Sequence, residues 1–156
     1  MMDNAETATT FAFPTWYQER YFLGALQQEI DAARRKGDPL CLIMLRMEDY
    51  SRRAARHLYA YAESAGEPAF FGVLDTGDYA ICMPGRGYEE GTRERVVLNH
   101  SLSDFGVKTG LVILDDEETA SELLNVAAHD MMRHRGLPGD GGSANQPQRS
   151  LRFLPA

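Results

Sequence analysis

The sequence has few of the features that mark secreted, membrane or nucleic-acid-binding proteins. It contains only two cysteines in 156 residues, and Cys41 and Cys82 both lie inside apolar runs, so we expect buried thiols and no disulfide framework. The apolar run LCLIML at 40–45 is too short to span a bilayer. The net charge of −7 argues against a broad basic surface for nucleic acid. We therefore expect a cytoplasmic globular protein with neither nucleic acid nor a membrane as its partner.

Both ends of the sequence differ in composition from its centre. The first ten residues, MMDNAETATT, have neither the basic segment nor the apolar core of a secretory signal. Residues 1–12 are small and polar without periodicity, and we predict that they are disordered. Residues 137–156 are rich in Gly, Pro, Ser, Asn and Gln, which is typical of a flexible tail, although LRFLPA is apolar enough to dock on another surface. The remaining segment, 13–136, is the predicted domain.

The central segment alternates between helical and strand patterns. Apolar residues at steps of three and four predict helices, whereas short apolar runs between turn residues predict strands. The predicted order is α-β-α-β-β-α-β-α, with the first helix beginning at Thr15. This order favours an α/β (α+β) fold with a single mixed sheet, a central antiparallel hairpin and flanking helices. In the closing helix the predicted inward-facing residues are Leu123, Leu124, Ala127, Met131 and Met132.

The predicted hairpin is the stretch VLDTGDYAICMPG at 73–85, where two apolar runs flank Asp75-Thr76-Gly77-Asp78. This polar segment fits ordinary turn chemistry. Asp75 can accept hydrogen bonds from the backbone N–H groups that follow it, and Gly77 can adopt a positive φ.

Four segments carry a family resemblance through their order and spacing, at positions 19–51, 75–85, 107–114 and 126–136: ERYFLGALQQEIDAARRKGDPLCLIMLRMEDYS, DTGDYAICMPG, VKTGLVIL and VAAHDMMRHRG. Together they resemble the GGDEF (diguanylate cyclase) domain family, which has a palm-like α/β fold. ERYFLGALQQEIDAARRKGDPLCLIMLRMEDYS is similar to the opening helix and first strand, and DTGDYAICMPG to the signature hairpin. VKTGLVIL and VAAHDMMRHRG resemble the next strand and the closing helix, so the likeness runs from about Phe13 to Gly136. The resemblance implies an activity that joins two GTP molecules into cyclic di-GMP with two Mg²⁺-type ions, which require carboxylate ligands.

Followed residue by residue, the resemblance implies that the metal site is lost. Arg46 stands where the first metal-binding aspartate is expected, and its guanidinium stays protonated and repels a cation. If Tyr79 takes the place of the signature Phe, then Asp78 matches the Glu before it. Gly77 then falls where the metal-binding acid belongs, and positions 75–76 carry Asp-Thr instead of the paired glycines that let phosphate approach.

Two other family elements have no counterpart. Between Tyr50 and Phe70 the Asn-Asp…Gly-His…Gly-Asp segment that reads the guanine base is missing, and this interval is shorter by about three helical turns. Gly66 and Ala69 occupy the two ends of the product-inhibition motif Arg-x-x-Asp. We therefore expect no catalytic residue, no metal and no cofactor.

A metal site could still be assembled from three acidic residues of the hairpin region, namely Glu48, Asp75 and Asp78. Arg46 argues against such a site, because a cation beside these acids competes with a metal ion for their oxygens. We predict that Arg46 instead forms an ion pair with one of them.

The resulting prediction is a catalytically inactive GGDEF-like module, regulatory or protein-binding, in bacterial cyclic-di-GMP-type signalling or exopolysaccharide and biofilm control. This setting is implied by the resemblance alone. We expect another protein as the partner, such as a signalling or polysaccharide-synthesis component, or a second copy in a homodimer. The predicted contact surface is the aromatic cluster of Trp16, Tyr17 and Tyr21, which cannot all face one core from a single helix.

Three alternatives stay open. A nucleotide sensor would bind cyclic di-GMP or GTP in a remodelled site, with Arg46, Arg52 and Arg135 as phosphate contacts. A residual diguanylate cyclase would need metal on Glu48 and Asp78. A purely structural subunit would need neither ligand nor metal.

Overall fold

The chain folds into helices and strands arranged around one sheet. The structure, a computed structural model, describes residues 16–49, 51–66, 68–115 and 118–133. The strands are β1 Trp16–Gln18, β2 Leu40–Met47, β3 Phe70–Val73, β4 Tyr79–Pro84 and β5 Val107–Ile113. The helices are α1 Glu19–Lys36, α2 Arg52–Ala65, α3 Tyr88–Ser101 and α4 Ala120–Arg133, and a short 3-10 helix, Ser103–Phe105, precedes β5. The terminal segments predicted to be disordered or flexible, 1–12 and 137–156, lie outside the described residues.

The five strands form one mixed sheet in the order β1-β3-β4-β2-β5. β1 runs parallel to β3, and every other neighbouring pair is antiparallel. β3 and β4 form the predicted hairpin, and β2 lies between β4 and β5. The predicted fold class, a mixed sheet with a central antiparallel hairpin flanked by helices, is therefore confirmed.

β2 is apolar along its length because helices cover both faces of the sheet. Its even-numbered side chains from Leu40 to Met44 pack with α1 and α4, and its odd-numbered side chains from Cys41 to Leu45 pack with α2 and α3. Successive side chains of a strand point to opposite faces, so a strand with two covered faces reads as an unbroken apolar run. This arrangement also decides on which face each polar residue at the end of β2 lies.

The prediction of a helix beginning at Thr15 is wrong, because a short strand comes first. Trp16 pairs with Phe71 and Tyr17 with Gly72 in the parallel β1–β3 ladder. In a strand the two neighbouring aromatic side chains point to opposite faces of the sheet. The Trp16 ring packs against Phe71 at a centroid distance of 5.0 Å, and the Tyr17 ring packs against Phe70 at 5.9 Å. Each ring thus joins a different core, which a helix would not have allowed.

Helix α1 ends at a glycine. Gly37 has a left-handed backbone with φ of 73°, and its N–H donates to the carbonyl of Ala33, which closes the last turn. α1 has 18 residues and is amphipathic, with Phe22, Leu26 and Ile30 buried. In the part of the chain that the structure describes, no helix combines the length and the apolar character that crossing a membrane requires.

Helix α4 packs closely on β5. A Cβ at Gly110 would overlap the backbone of Ala127 and Met131, so only a glycine allows this approach. Leu123, Leu124, Ala127 and Met131 are buried or half-buried, as predicted. The prediction for Met132 is wrong: its side chain is 51% exposed, because it lies one residue beyond the side of the helix that faces the sheet.

Candidate functional site

The hairpin turn between β3 and β4 is closed by backbone hydrogen bonds. The N–H of Leu74 donates to the carbonyl of Asp78 at 2.8 Å, and the N–H of Gly77 donates to the carbonyl of Leu74 at 2.9 Å. Gly77 has a φ of 92°, a conformation that strongly favours glycine. The prediction of a positive φ at Gly77 is therefore confirmed.

Thr76 takes the turn-stabilising role that the sequence assigned to Asp75. The Thr76 hydroxyl accepts from the N–H of Asp78 at 3.3 Å and donates to Asp78 Oδ2 at 2.8 Å. The N–H of Asp75 donates to Glu19 Oε1 at 2.9 Å, which ties the exposed turn to the first turn of α1. A threonine hydroxyl can donate and accept at once, so it serves both the backbone and the carboxylate of Asp78.

Asp78 forms a close, two-pronged ion pair with Arg46. The Nε atom of Arg46 lies 2.7 Å from Asp78 Oδ1, and its NH2 nitrogen lies 3.0 Å from Oδ2. The pairing of Leu45 with Tyr79 across β2 and β4 brings these side chains together, since it places position 46 beside position 78. The Asp78 side chain is 2% exposed and that of Arg46 is 36% exposed. The predicted ion pair is confirmed, with Asp78 as the acid.

The surroundings of this pair carry positive charge. Arg46 lies opposite Lys108 in the β2–β5 ladder, so two cationic side chains are neighbours at this end of the sheet. The NH1 nitrogen of Arg46 also lies 3.6 Å from the Met132 sulfur, near the end of α4. A carboxylate that accepts hydrogen bonds from a bidentate guanidinium and a hydroxyl has few lone pairs left for a metal ion.

The three acids considered as an alternative metal site do not form one. Across the described ranges, no three His, Cys, Asp or Glu side chains are grouped as a metal ion would need. Glu48 lies over Gly106, where its backbone N–H bonds to the carbonyls of Phe105 and Gly106, and Asp75 is exposed. The one acid at the signature turn that is buried, Asp78, is the one held by Arg46.

The remaining predicted site residues are spread over the molecule. Tyr79 begins β4 in register with Leu45, and its half-buried ring stacks edge-on against Trp16 at 5.7 Å. Arg52 begins α2 and is exposed, whereas Arg135 lies outside the described residues. Trp16 and Tyr17 are half-buried on opposite faces of the sheet, and Tyr21 is 61% exposed on α1. These three aromatic residues therefore do not share one face, and their role as a contact surface stays a prediction.

Sequence reasoning missed a second arginine–carboxylate pair at the β5 edge of the sheet. The NH1 nitrogen of Arg95 on α3 lies 3.5 Å from Asp130 Oδ2 on α4. Arg95 also donates to the hydroxyl and the carbonyl of Thr109, and Asp130 accepts from the N–H of Leu111 at 2.9 Å. Burial lowers the pKa of Arg95 below its ordinary value, and the Asp130 carboxylate opposes that shift.

Both cysteines are free and buried, as predicted. Desolvation raises the pKa of Cys41 to about 12 and raises that of Cys82 as well. A thiol with a raised pKa holds little of the thiolate that reacts as a nucleophile. These two side chains therefore act as small apolar core residues.

The comparisons with known proteins bear on the fold. No protein-family model matches the chain, and no curated protein matches it. Among solved structures, a microbial GGDEF domain described in a novel interaction mode with bis-(3′,5′)-cyclic di-GMP is similar, with a TM-score of 0.61 and 24% identity. That match covers 79% of this chain and 90% of the other.

Two further solved structures are similar at comparable scores. The GGDEF domain of DgcB from Caulobacter crescentus, in complex with c-di-GMP, has a TM-score of 0.63 and 12% identity, over 77% of this chain and 83% of that one. The diguanylate cyclase SiaD from Pseudomonas aeruginosa, in complex with its activator SiaC, has a TM-score of 0.61 and 18% identity. The match covers 74% of this chain but only 54% of SiaD. The chain therefore has the fold of GGDEF domains, as the resemblance predicted.

Proposed function

We propose that this chain is a module of cyclic-di-GMP-type signalling that has the GGDEF fold, makes no cyclic di-GMP and acts by binding another protein. The observation that carries the proposal is the Arg46–Asp78 ion pair. It occupies the place where the GGDEF resemblance expects a carboxylate that holds a metal ion.

The chemistry of that reaction supports the proposal. Metal ions of the Mg²⁺ type bind oxygen ligands, and at least one or two carboxylates are needed to hold them against the substrate phosphates. Arg46 contributes a permanent positive charge instead, and Lys108 adds a second charge beside it. A metal ion at Asp78 would have to displace a bidentate guanidinium from a side chain that is 2% exposed.

The similar solved proteins support the signalling setting and the partner. Two of them are GGDEF domains studied with cyclic di-GMP, and SiaD was solved with an activator protein. A module that has lost its own chemistry can still present the outer faces of its helices to such a partner. The exopolysaccharide or biofilm setting is part of this proposal and rests on the resemblance alone.

The test is isothermal titration of the purified full chain with GTP and with cyclic di-GMP, each with Mg²⁺ present. We expect no measurable binding at ligand concentrations of about 100 μM, from protein whose circular dichroism spectrum shows a folded state. The same samples incubated with GTP and Mg²⁺ should yield no cyclic di-GMP by chromatography.

Two results would contradict the proposal. Micromolar or tighter binding that Arg46→Ala abolishes, and that the matched exposed-site variant Arg35→Ala retains, would establish a nucleotide sensor. Product formation from GTP that Asp78→Ala abolishes would establish a residual cyclase.

A further inference from the structure

The outer edge of β5 carries backbone groups that no other described strand covers. β5 is the last strand of the sheet, and the N–H of Leu114 donates to the carbonyl of Leu40 on β2 at 2.8 Å. In an antiparallel ladder this bond fixes the alternation along the strand. The even-numbered residues of β5 bond to β2, and the odd-numbered residues therefore turn their N–H and C=O groups outward.

Side chains occupy the first outward groups of this edge. Arg95 donates to the carbonyl of Thr109 at 3.1 Å, and Asp130 accepts from the N–H of Leu111 at 2.9 Å. The next outward groups are the carbonyl of Leu111 and the N–H of Ile113. In the described part of the chain these two groups have no hydrogen-bond partner, so they form an adjacent acceptor and donor at the strand edge.

This opening is too short for a further strand. Before it, the N–H of Leu111 is held by Asp130, and beyond it the N–H of Asp115 donates to Glu118 Oε1 at 3.0 Å. Ile113 therefore keeps an open N–H between two that are already bonded. An added strand is held by a ladder of several backbone hydrogen bonds, so the opening fits one small molecule better than an extended peptide.

A cleft of about 470 Å³ lies beside this opening, a volume in the range of small-molecule sites. Helix α3 packs on one face of the sheet and α4 on the other, so the edge of β5 lies between them at the base of the cleft. Leu111, Ile113 and Val126 line it with half-buried apolar side chains, and Tyr88 on α3 and Asn125 on α4 add a ring and an amide. A ligand that enters between the two helices extends the plane of the sheet, and this favours a flat molecule.

The charges in the lining of the cleft balance one another. The lining includes the cations Arg95 and Arg133 and the acids Glu118 and Asp130, so its formal charge is zero while His129 is neutral. Arg95 and Asp130 pair with each other at 3.5 Å. A charged ligand would lose its hydration here and would meet as much like charge as opposite charge. The lining therefore favours an uncharged ligand.

We propose that this cleft binds an uncharged, flat heterocycle that has an amide-type edge, with an N–H donor beside a C=O acceptor. The N–H of the ligand donates to the carbonyl of Leu111, and its C=O accepts from the N–H of Ile113. A parallel neighbouring strand would bond these two groups through the N–H and C=O of one residue, and a cyclic amide presents the same pair on one edge. The ring then lies between Tyr88 on α3 and Val126 on α4.

The test is an NMR titration of the isotope-labelled full chain with 2-quinolone, a neutral bicyclic ring with adjacent N–H and C=O groups. At pH 7.5 an exposed histidine such as His129 is largely neutral. We expect a saturable downfield shift of the Ile113 amide proton with a Kd of about 0.1 mM, as is typical of so small a ligand. The amide of Val112, which bonds to β2, should shift much less.

Two analogues test the edge and the charge without altering the protein. 1-Methyl-2-quinolone lacks the N–H donor and should bind at least about tenfold more weakly, because the carbonyl of Leu111 then stays unpaired. 2-Quinolone-4-carboxylate keeps the amide edge and adds a negative charge. It should also bind at least about tenfold more weakly, because its carboxylate loses hydration without a net countercharge in the cleft.

A matched pair of valine variants locates the site. Val126→Ala removes part of the apolar wall and should weaken the binding of 2-quinolone about fivefold. Val97→Ala makes the same change at a position of α3 that is 45% exposed and lies away from the cleft. This control should leave the Kd within about twofold of the wild-type value.

Three outcomes would overturn the proposal. An Ile113 amide that does not shift at about 1 mM 2-quinolone would mean that the strand edge binds no such ring. Equal binding of 1-methyl-2-quinolone would mean that the cleft accepts apolar rings without bonding to the edge. Equal or tighter binding of the carboxylate would assign the cleft to an anion. None of these results bears on cyclase activity, so the proposed function is tested separately.

Discussion

Two arginine–carboxylate pairs near the end of α4 differ in what they hold together. Arg46 and Asp78 join strand β2 to the hairpin turn through two hydrogen bonds, of 2.7 and 3.0 Å. Arg95 and Asp130 join helices α3 and α4 across the β5 edge through one longer contact of 3.5 Å. Judged by distance alone, the first pair is the stronger.

Backbone contacts reverse this order for stability. Asp78 is the most buried of the four side chains, at 2% exposed, but its partner Arg46 is 36% exposed and the turn beside it is exposed, so water can reach this pair. The side chains of Arg95 and Asp130 are 19% and 11% exposed. Arg95 and Asp130 also satisfy backbone groups of β5. A desolvated charge left without its partner costs more than a solvated one. We therefore assign a structural role to the β5-edge pair, whereas the hairpin pair is the one on which the proposed function rests.

The largest expected effect is that of Asp130→Ala. This change leaves the Arg95 guanidinium without its countercharge and the N–H of Leu111 without its acceptor, so we expect a loss of about 3 kcal/mol in the free energy of unfolding. Urea unfolding followed by circular dichroism measures it.

Asp130→Asn is the matched variant, because an amide oxygen can still accept from Leu111, and it should lose less than Asp130→Ala. Glu63→Ala, at an exposed position of α2, should change stability by less than about 0.5 kcal/mol. If Asp130→Ala and Glu63→Ala were equally stable, the β5-edge pair would have no structural role.

A smaller loss, about 2 kcal/mol, is expected for Arg46→Ala. Among the described residues, the buried Asp78 carboxylate would keep only the Thr76 hydroxyl as a side-chain donor, but the neighbouring turn residues Asp75 and Thr76 are exposed, so water can reach it. The same urea experiment measures the change, with Arg52→Ala as the exposed arginine control. A loss larger than that of Asp130→Ala would show that geometry outweighs burial here and would reverse the comparison.

The sequence predicts most of the fold because short stretches of it specify individual helices, strands and turns. The unbroken apolar run at 40–45, Gly37 after α1 and the polar turn at 75–78 each specify one element without reference to distant residues. The strand at Trp16 escaped prediction because its pairing partner, Phe71, is far along the chain. The strand has three residues, two of them aromatic, which is too short a pattern to separate a strand from the helix that follows.

Of the two ion pairs, the sequence predicts only the one at the hairpin, because only that pair lies at the ends of neighbouring strands. The Arg46–Asp78 pair follows from an alignment of the signature hairpin with the strand before it, since one register brings both residues together. Arg95 lies on α3 and Asp130 on α4, the helix whose close approach to β5 depends on Gly110, and the residues beside Arg95 do not mark it as buried. The signal that could have suggested the pair is the spacing of Asp130, which stands three residues after Ala127 and seven after Leu123 and therefore lies on the apolar side of the closing helix.

The last prediction tests whether the positive charge of Arg46 keeps a metal ion away from Asp78. Arg46→Asp would place a second carboxylate beside Asp78, with the oxygen ligands that Mg²⁺ requires. We expect the variant to be less stable than the wild type without metal, because two like charges then meet at a buried site. Mg²⁺ at about five times its dissociation constant should restore about 1 kcal/mol, since binding to the folded state alone stabilises it.

Thermal unfolding at several Mg²⁺ concentrations measures this gain. Arg46→Leu removes the same positive charge without adding a carboxylate, and its melting temperature should not depend on Mg²⁺. The wild type should show no dependence either, because the guanidinium occupies the oxygens of Asp78. If the wild type were stabilised by Mg²⁺ as much as Arg46→Asp, the ion pair would not exclude a metal ion. The main support for an inactive module would then be lost, while the structural role of Arg95 and Asp130 would be unaffected.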